Sequence, residues 1–222
     1  MKRRDLPVIP LSPQPVRPVV GPGARAVRLD LESVGPAEGP RIGLVTLGCD
    51  KNTVDSEHMM AALVGHGARV SSEVEGSDVV IVNTCGFIEA AKEQSIETIL
   101  GACELKEAGE VRVVVAVGCM VERYKDELAQ EIPEVDLFLG LSELNGLVPA
   151  LRSRGLLAEE DDLVPNLERP LRILATETPH TSFLKISEGC DHSCAFCAIP
   201  LMRGLHRSSP VAELVREARA LE

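Results

Sequence analysis

Aromatic side chains are nearly missing. Only 2% of the 222 residues are aromatic, made up of four Phe and one Tyr with no Trp. Base-stacking platforms are built from such rings, so that mode of nucleic-acid binding is not expected. Positive charge is also in deficit, with a net charge of −11. Residues 1–40 hold Lys2, Arg3, Arg4, Arg17, Arg25 and Arg28 against Asp5, Asp30, Glu32 and Glu38, a local +2 that leaves −13 for the rest. An acidic body argues against extensive nucleic-acid binding and suits a basic protein partner. No apolar run is long enough to span a membrane. Prolines interrupt the residues after the basic N-terminus, so no signal-peptide core is read there. The expected compartment is the cytoplasm, where seven cysteines are thiols or metal ligands rather than disulfides.

What the chain does have is apolar residues, at 45%, and proline in one place. Pro7, Pro10, Pro13, Pro15, Pro18, Pro22, Pro36 and Pro40 fall within residues 1–40. No helical period survives that density, and a disordered, partly polyproline-like extension is expected.

From Arg41 the pattern alternates. Ile42–Leu47, Asp78–Asn83, Val111–Val117 and Val135–Leu139 are short apolar or β-branched runs, as in strands buried on both faces. Arg69–Val74 is a weaker candidate strand. Between them lie helical patterns. One carries Met59, Met60, Leu63 and Val64, with Asn52 and Asp55 as N-terminal cap candidates. A second spans about Ile88 to Glu107, with Ile96, Ile99, Leu100 and Cys103 on one face. Two more carry Tyr124, Leu128 and Ile132, then Leu144, Leu147, Val148 and Leu151. The alternation implies an α/β domain over 41–152, a doubly wound parallel sheet with helices on both faces. Residues 153–178, with Glu159-Glu160-Asp161-Asp162 and two prolines, look like a linker. Ser182–Ser187 then resembles a strand, and Ser209-Pro210 the start of a helix carrying Val211, Leu214, Val215 and Ala218.

Cysteine placement carries the chemistry. Cys49, Cys85 and Cys119 each follow a candidate strand, at spacings of 36 and 34 residues. Loops at the carboxyl ends of parallel strands share one edge of the sheet, where ligands bind. Gly48, Gly86 and Gly118 flank them and permit close backbone approach. The plainer alternative is three buried structural thiols. Cys103, on an apolar helix face, is read as core packing.

Cys190, Cys194 and Cys197 form a C-x3-C-x2-C loop around one metal centre. A structural zinc site wants four ligands, so each set is one short. His58 or His66 for the first set, and His180 or His192 for the second, are the zinc alternative. Phe196 could shield a metal centre, touch a bound adenine or simply pack. Arg203 could meet a ligand carboxylate or face solvent.

The loop resembles the signature of radical S-adenosylmethionine enzymes. Its flanks, Leu184-Lys185-Ile186-Ser187-Glu188-Gly189-Cys190 and Cys197-Ala198-Ile199-Pro200-Leu201-Met202-Arg203-Gly204, resemble those of the methylthiotransferases. Leu47-Gly48-Cys49-Asp50-Lys51-Asn52-Thr53-Val54-Asp55-Ser56-Glu57, Asn83-Thr84-Cys85-Gly86-Phe87-Ile88, and Gly118-Cys119 with Arg123-Tyr124 resemble the N-terminal motifs of that family. The likeness covers about residues 41–222. It is strongest to the branch that modifies an aspartate of the small-subunit ribosomal protein numbered twelve. The tRNA-modifying branch and a non-catalytic iron–sulfur fragment are the alternatives.

The resemblance implies two [4Fe–4S] clusters. One sits on Cys190, Cys194 and Cys197, with an open iron for S-adenosylmethionine and Phe196 as a contact to that ligand. The other sits on Cys49, Cys85 and Cys119 and delivers sulfur. It implies hydrogen abstraction from the aspartate β-carbon by a deoxyadenosyl radical, and a methyl group from a second S-adenosylmethionine. Residues 179–222 are then the first βα unit of an incomplete (β/α) barrel, and this chain alone is not expected to turn over. Electron donor and sulfur source are not specified. Asp50 and Ser208-Ser209-Pro210 depart from the family pattern.

Overall fold

The structure, a computed structural model, describes residues 26–28, 33–157, 172–174 and 180–221. The elements in chain order are β1 (Ala26–Arg28), β2 (Arg41–Thr46), α1 (Asp50–Val64), β3 (Arg69–Ser71), β4 (Val79–Thr84), α2 (Glu89–Glu107), β5 (Val113–Gly118), α3 (Cys119–Glu131) and β6 (Leu137–Leu139). A 3₁₀ turn (Leu141–Gly146), α4 (Leu147–Arg152), β7 (Arg172–Leu174), β8 (Ser187–Glu188), α5 (Ile199–Arg203), β9 (Arg207–Ser208) and α6 (Val211–Leu221) complete the order.

Five strands form one parallel sheet in the order β3-β2-β4-β5-β6. Strand alternation divides its side chains between two cores. Val79 and Ile81 of β4, with Val115 and Val117 of β5, pack on Met59, Met60 and Leu63 of α1 and Leu147 and Leu151 of α4. Val80, Val82, Val114 and Ala116 point the other way, onto Ile99 and Cys103 of α2 and Met120 and Leu128 of α3. Helices therefore cover both faces, and the sheet is doubly wound as expected. Counted among themselves, the five strands run 2-1-3-4-5. That order reverses between β2 and β4, and the crevice at such a reversal is where open α/β sheets hold ligands. The β-branched strand residues are buried from both faces; Val79, Ile81, Val82, Val114 and Val115 are fully buried.

Several expectations need correction. Of the extension expected to be disordered, residues 1–25 and 29–32 lie outside the described residues. Residues 26–28, however, form β1, paired in parallel with β7, and Val34 bridges Val70. The reason is local: no proline falls between Pro22 and Pro36, and Val27, Leu29 and Leu31 alternate with polar residues at the strand period. Within the expected 153–178 linker, residues 158–171 and 175–178 are outside the described residues, but β7 is packed structure, and Arg172, Ile173 and Leu174 are all buried. Asn52 and Asp55 do not cap α1. Cys49 does, in extended backbone at φ −104° and ψ 170°, with its carbonyl accepting from the amides of Asn52 at 2.8 Å and Thr53 at 3.2 Å. Their polar side chains turn inward instead. The expected strand over Ser182–Ser187 is reduced to Ser187–Glu188, paired antiparallel with Arg207–Ser208. On α2 the expected apolar face is half used: Ile99 and Cys103 are buried, while Ile96 and Leu100 are exposed.

Candidate functional site

The sheet edge is assembled by helix starts. Cys49 caps α1, Cys119 opens α3, and Cys85 lies just ahead of α2. Unpaired amides and the positive dipole end at such positions favour a thiolate or an anionic ligand. Cys85 and Cys119 are buried and Cys49 is exposed. Gly48 sits against Cys85. With φ +94°, a Cβ there would lie 2.7 Å from Cys85 Cβ and 2.8 Å from its Sγ. Only glycine allows the first loop to approach the second so closely.

Asn52 ties the three loops together. Its Nδ2 donates to the carbonyls of Leu47 at 2.8 Å and Thr84 at 3.1 Å, just before Cys49 and Cys85. Its Oδ1 lies 3.6 Å from Cys119 Sγ. Asn83 Nδ2 donates to the Asn52 carbonyl at 3.0 Å and to Ser56 Oγ at 2.9 Å. Ser95 Oγ accepts from the Cys85 amide at 3.0 Å. The Cys119 thiol is pushed up to about 11; burial is the main cause, Arg203 opposes it, and Asp55 with the nearby Cys85 and Cys49 adds to it. Without metal this thiol holds its proton, and loading must displace it.

The second cysteine set is built differently. Cys190, Cys194 and Cys197 lie on an excursion whose ends are pinned by β8 and β9 and by the bond from the Cys190 amide to Gly204 O at 3.0 Å. Gly189, at φ +73°, is forced: a Cβ would stand 2.1 Å from Leu205 O. Cys194 is exposed, Cys190 and Cys197 are half-buried, and Phe196 is 93% exposed. Phe196 therefore does not pack on the protein.

Between the two sets runs a seam of buried charge. Arg203 Nη1 donates to Asp55 Oδ2 at 3.1 Å and to Glu188 Oε1 at 3.0 Å, and its Nη2 donates to Asn52 Oδ1 at 2.5 Å. Lys185 bonds Asp55 and, at 2.7 Å, Glu188. Burial alone would push the Glu188 carboxyl up, but Lys185 and Arg203 outweigh it and hold it at about 2. Arg203 is neither a solvated residue nor a free ligand contact. A second knot joins Arg172 to Glu57, to Glu217 Oε1 at 3.0 Å and to Phe183 O at 2.7 Å. A cleft of about 290 Å³ opens between the first turn of α1, with Asp50, Lys51 and Val54, and the Phe183–Ser187 segment. Asn52, Asp55, Lys185 and Glu188 were not singled out as site residues from sequence. The available signal was polar residues at i, i+3 and i+4 on an otherwise apolar helix, and a Lys-x-x-Glu pair beside a cysteine loop.

The residues present fit a soft-metal centre. Each set offers three thiols, the donors that iron–sulfur clusters and zinc select. Among the described residues no group of three His, Cys, Asp or Glu side chains closes as ligands of one metal ion. Among the described residues, the histidines do not complete a zinc set with either group of thiols. His66 is a helix length away, about 25 Å from Cys49 at 1.5 Å per residue, and bonds Ala62 O. His58 sits 3.3 Å from Glu217. His180 and His192 are exposed.

Comparison with known proteins adds a family. Residues 41–140 match the profile described as "Uncharacterized protein family UPF0004". The chain is 45% identical over 184 residues to "Ribosomal protein uS12 methylthiotransferase RimO" of Anaeromyxobacter sp., covering 82% of this chain and 39% of that protein. The protein of the same name from Chlorobium luteolum is 44% identical over 187 residues, with 84% and 40% covered. The one from Sulfurihydrogenibium sp. is 48% identical over 181 residues, with 82% and 39% covered. The chain thus spans about two fifths of the length of these relatives.

Proposed function

We propose that this chain, which belongs to the family of the ribosomal protein uS12 methylthiotransferases, carries the two iron–sulfur sites of a radical S-adenosylmethionine methylthiotransferase. Its substrate is an aspartate of the small-subunit ribosomal protein numbered twelve. The observation that carries the reading is the pair of three-thiol sets, each one ligand short, joined by one buried charge seam. Cys190, Cys194 and Cys197 hold one [4Fe–4S] cluster and present its open position to S-adenosylmethionine. Cys49, Cys85 and Cys119 hold the other. When bound, these groups supply the electron that releases a deoxyadenosyl radical from S-adenosylmethionine and the sulfur that is transferred.

The protein's own residues do the rest. Helix starts at the sheet edge set positive dipole ends against the thiolates. The exposed Phe196 ring offers an apolar face for the adenosyl part of the ligand. Asn52 holds the three strand-end loops in register, and Lys185, Glu188 and Asp55 fix the cysteine loop against α1. The acidic body matches a basic ribosomal-protein partner working in the cytoplasm. No helix of the described residues is long and apolar enough to cross a membrane. The proposed division is an α/β domain over 41–152, a connection over 153–178 that includes the buried β7, and a radical S-adenosylmethionine segment from 179.

The test is a graft. Residues 41–221 of this chain replace the matching residues of the Anaeromyxobacter relative, and the anaerobically loaded chimera is incubated with the ribosomal protein, S-adenosylmethionine, a reductant and sulfide. The expected result is one methylthio group on one aspartate by mass spectrometry, with deoxyadenosine released. Fully loaded chimera giving neither product would overturn the proposal.

A further inference from the structure

Arg203 comes after the loop cysteines in sequence, yet its guanidinium reaches the other cysteine set. We infer that the buried charge of Arg203, held against Asn52 Oδ1 beside Cys119, sets how readily a metal centre held by Cys49, Cys85 and Cys119 accepts an electron. This rests on the cluster reading above.

The geometry is specific. Arg203 donates to Asn52 Oδ1 at 2.5 Å, while the same oxygen stands 3.6 Å from Cys119 Sγ. The Asn52 amide is then fully used: Nδ2 holds Leu47 O and Thr84 O, and Oδ1 faces Arg203 and Cys119. Every loop that carries a sheet-edge cysteine is thus referred to one amide, and that amide is locked by Arg203. Helix α5, which ends at Arg203, packs on α3, which begins at Cys119.

Charge bookkeeping gives the sign. Asp55, Glu188, Lys185 and Arg203 are two charges of each kind, and all four are largely buried. Removing Arg203 leaves the group at −1 beside Cys119. In a low-dielectric interior a negative charge opposes the arrival of an electron. The potential of the sheet-edge centre must therefore fall. Lysine at 203 keeps the charge and loses the planar fork, so it restores the potential without restoring the grip on Asn52.

The experiment uses the whole chain with Cys190, Cys194 and Cys197 changed to Ala, so that only the sheet-edge set can load. It is reconstituted anaerobically with iron and sulfide, and its midpoint potential is measured by dye-mediated titration with paramagnetic resonance. Arg203→Met is expected to weaken electron uptake at least about tenfold, which is ~59 mV for a one-electron couple, and Arg203→Lys to recover most of it. Arg203→Gln, which keeps a side-chain donor and loses the charge, is expected to shift the potential the same way and serves where Arg203→Met does not fold by circular dichroism. An unchanged potential in the folded Arg203→Met or Arg203→Gln variant overturns the inference while the cluster reading stands. Failure of the parent with intact Cys49, Cys85 and Cys119 to take up iron overturns both.

Discussion

At the sheet edge, cysteines from three distant loops meet, and Cys85 and Cys119 are buried among helix starts. In the loop, three cysteines come from eight residues, and Cys194 and Phe196 face solvent. The first set is held by the sheet itself, through strand ends, an inward-facing Asn52 and a glycine contact. The second is held near its ends, by a two-residue ladder, by the charge seam to α1 and by the packing of α5 on α3. One is a product of the tertiary fold. The other is a local motif that the fold anchors. The difference teaches which perturbations should reach which site.

The largest effect is expected from the anchor. Arg172 is fully buried between Glu57 of α1 and Glu217 of α6. Arg172→Ala removes the cation shared by two buried carboxylates and should cost about 3–5 kcal/mol, a fall in melting temperature of about 10 °C. Because Glu217 belongs to the segment after the loop, α6 should lose amide-exchange protection before the sheet does. Simultaneous loss of protection in both would erase the distinction between a fold-built site and an anchored one.

Acid should act on the seam next. The folded Glu188 carboxyl, held at about 2, lies below its ordinary 4.5. Its contribution is therefore whole above about pH 4.5 and drains away as pH falls toward 2. The shift corresponds to stability on the order of 3 kcal/mol. Denaturant melts at pH 6 and pH 3 should show Glu188→Gln losing much of the acid dependence of the parent. Identical pH dependence in the two proteins would count against the seam.

Thiol reactivity separates the sites directly. In metal-free protein at pH 7, Cys119, raised to about 11 from the ordinary 9 chiefly by burial, holds about a hundredfold less thiolate than an ordinary cysteine. Iodoacetamide with peptide mapping should label the exposed Cys194 well before the buried Cys119. Equal rates would mean that the sheet edge is open.

The smallest global effect is expected from Gly189→Ala. It forces a Cβ onto Leu205 O in the loop and should lower melting by only a few degrees while loosening iron at Cys190, Cys194 and Cys197. Gly48→Ala, pressed on Cys85 beside the core, should cost about 1–3 kcal/mol and loosen iron at the sheet edge instead.

Much of this was legible beforehand, for identifiable reasons. β-branched runs such as Val79–Val82 announce strands, and a cysteine after each of three strands follows from parallel topology. The C-x3-C-x2-C loop is local, so spacing alone exposes it. What escaped was long-range. Asn52 and Asp55 look like helix caps because capping is a local preference, and only the packing of the cysteine loop on α1 turns them into hubs. Arg203 and Arg172 gave no periodic signal, since their partners lie 148 and 115 residues away, at Asp55 and Glu57. β1 was hidden by the prolines around it, and β7 by its setting among acidic residues and prolines.

The central claim is that the chain carries two separate three-thiol sites. Anaerobic reconstitution followed by iron analysis tests it most directly. The account predicts about eight irons in the parent, and about four in each of two triple variants, Cys49, Cys85 and Cys119 to Ala or Cys190, Cys194 and Cys197 to Ala. Four irons or fewer in the parent, or loss of all iron in either variant alone, would contradict it.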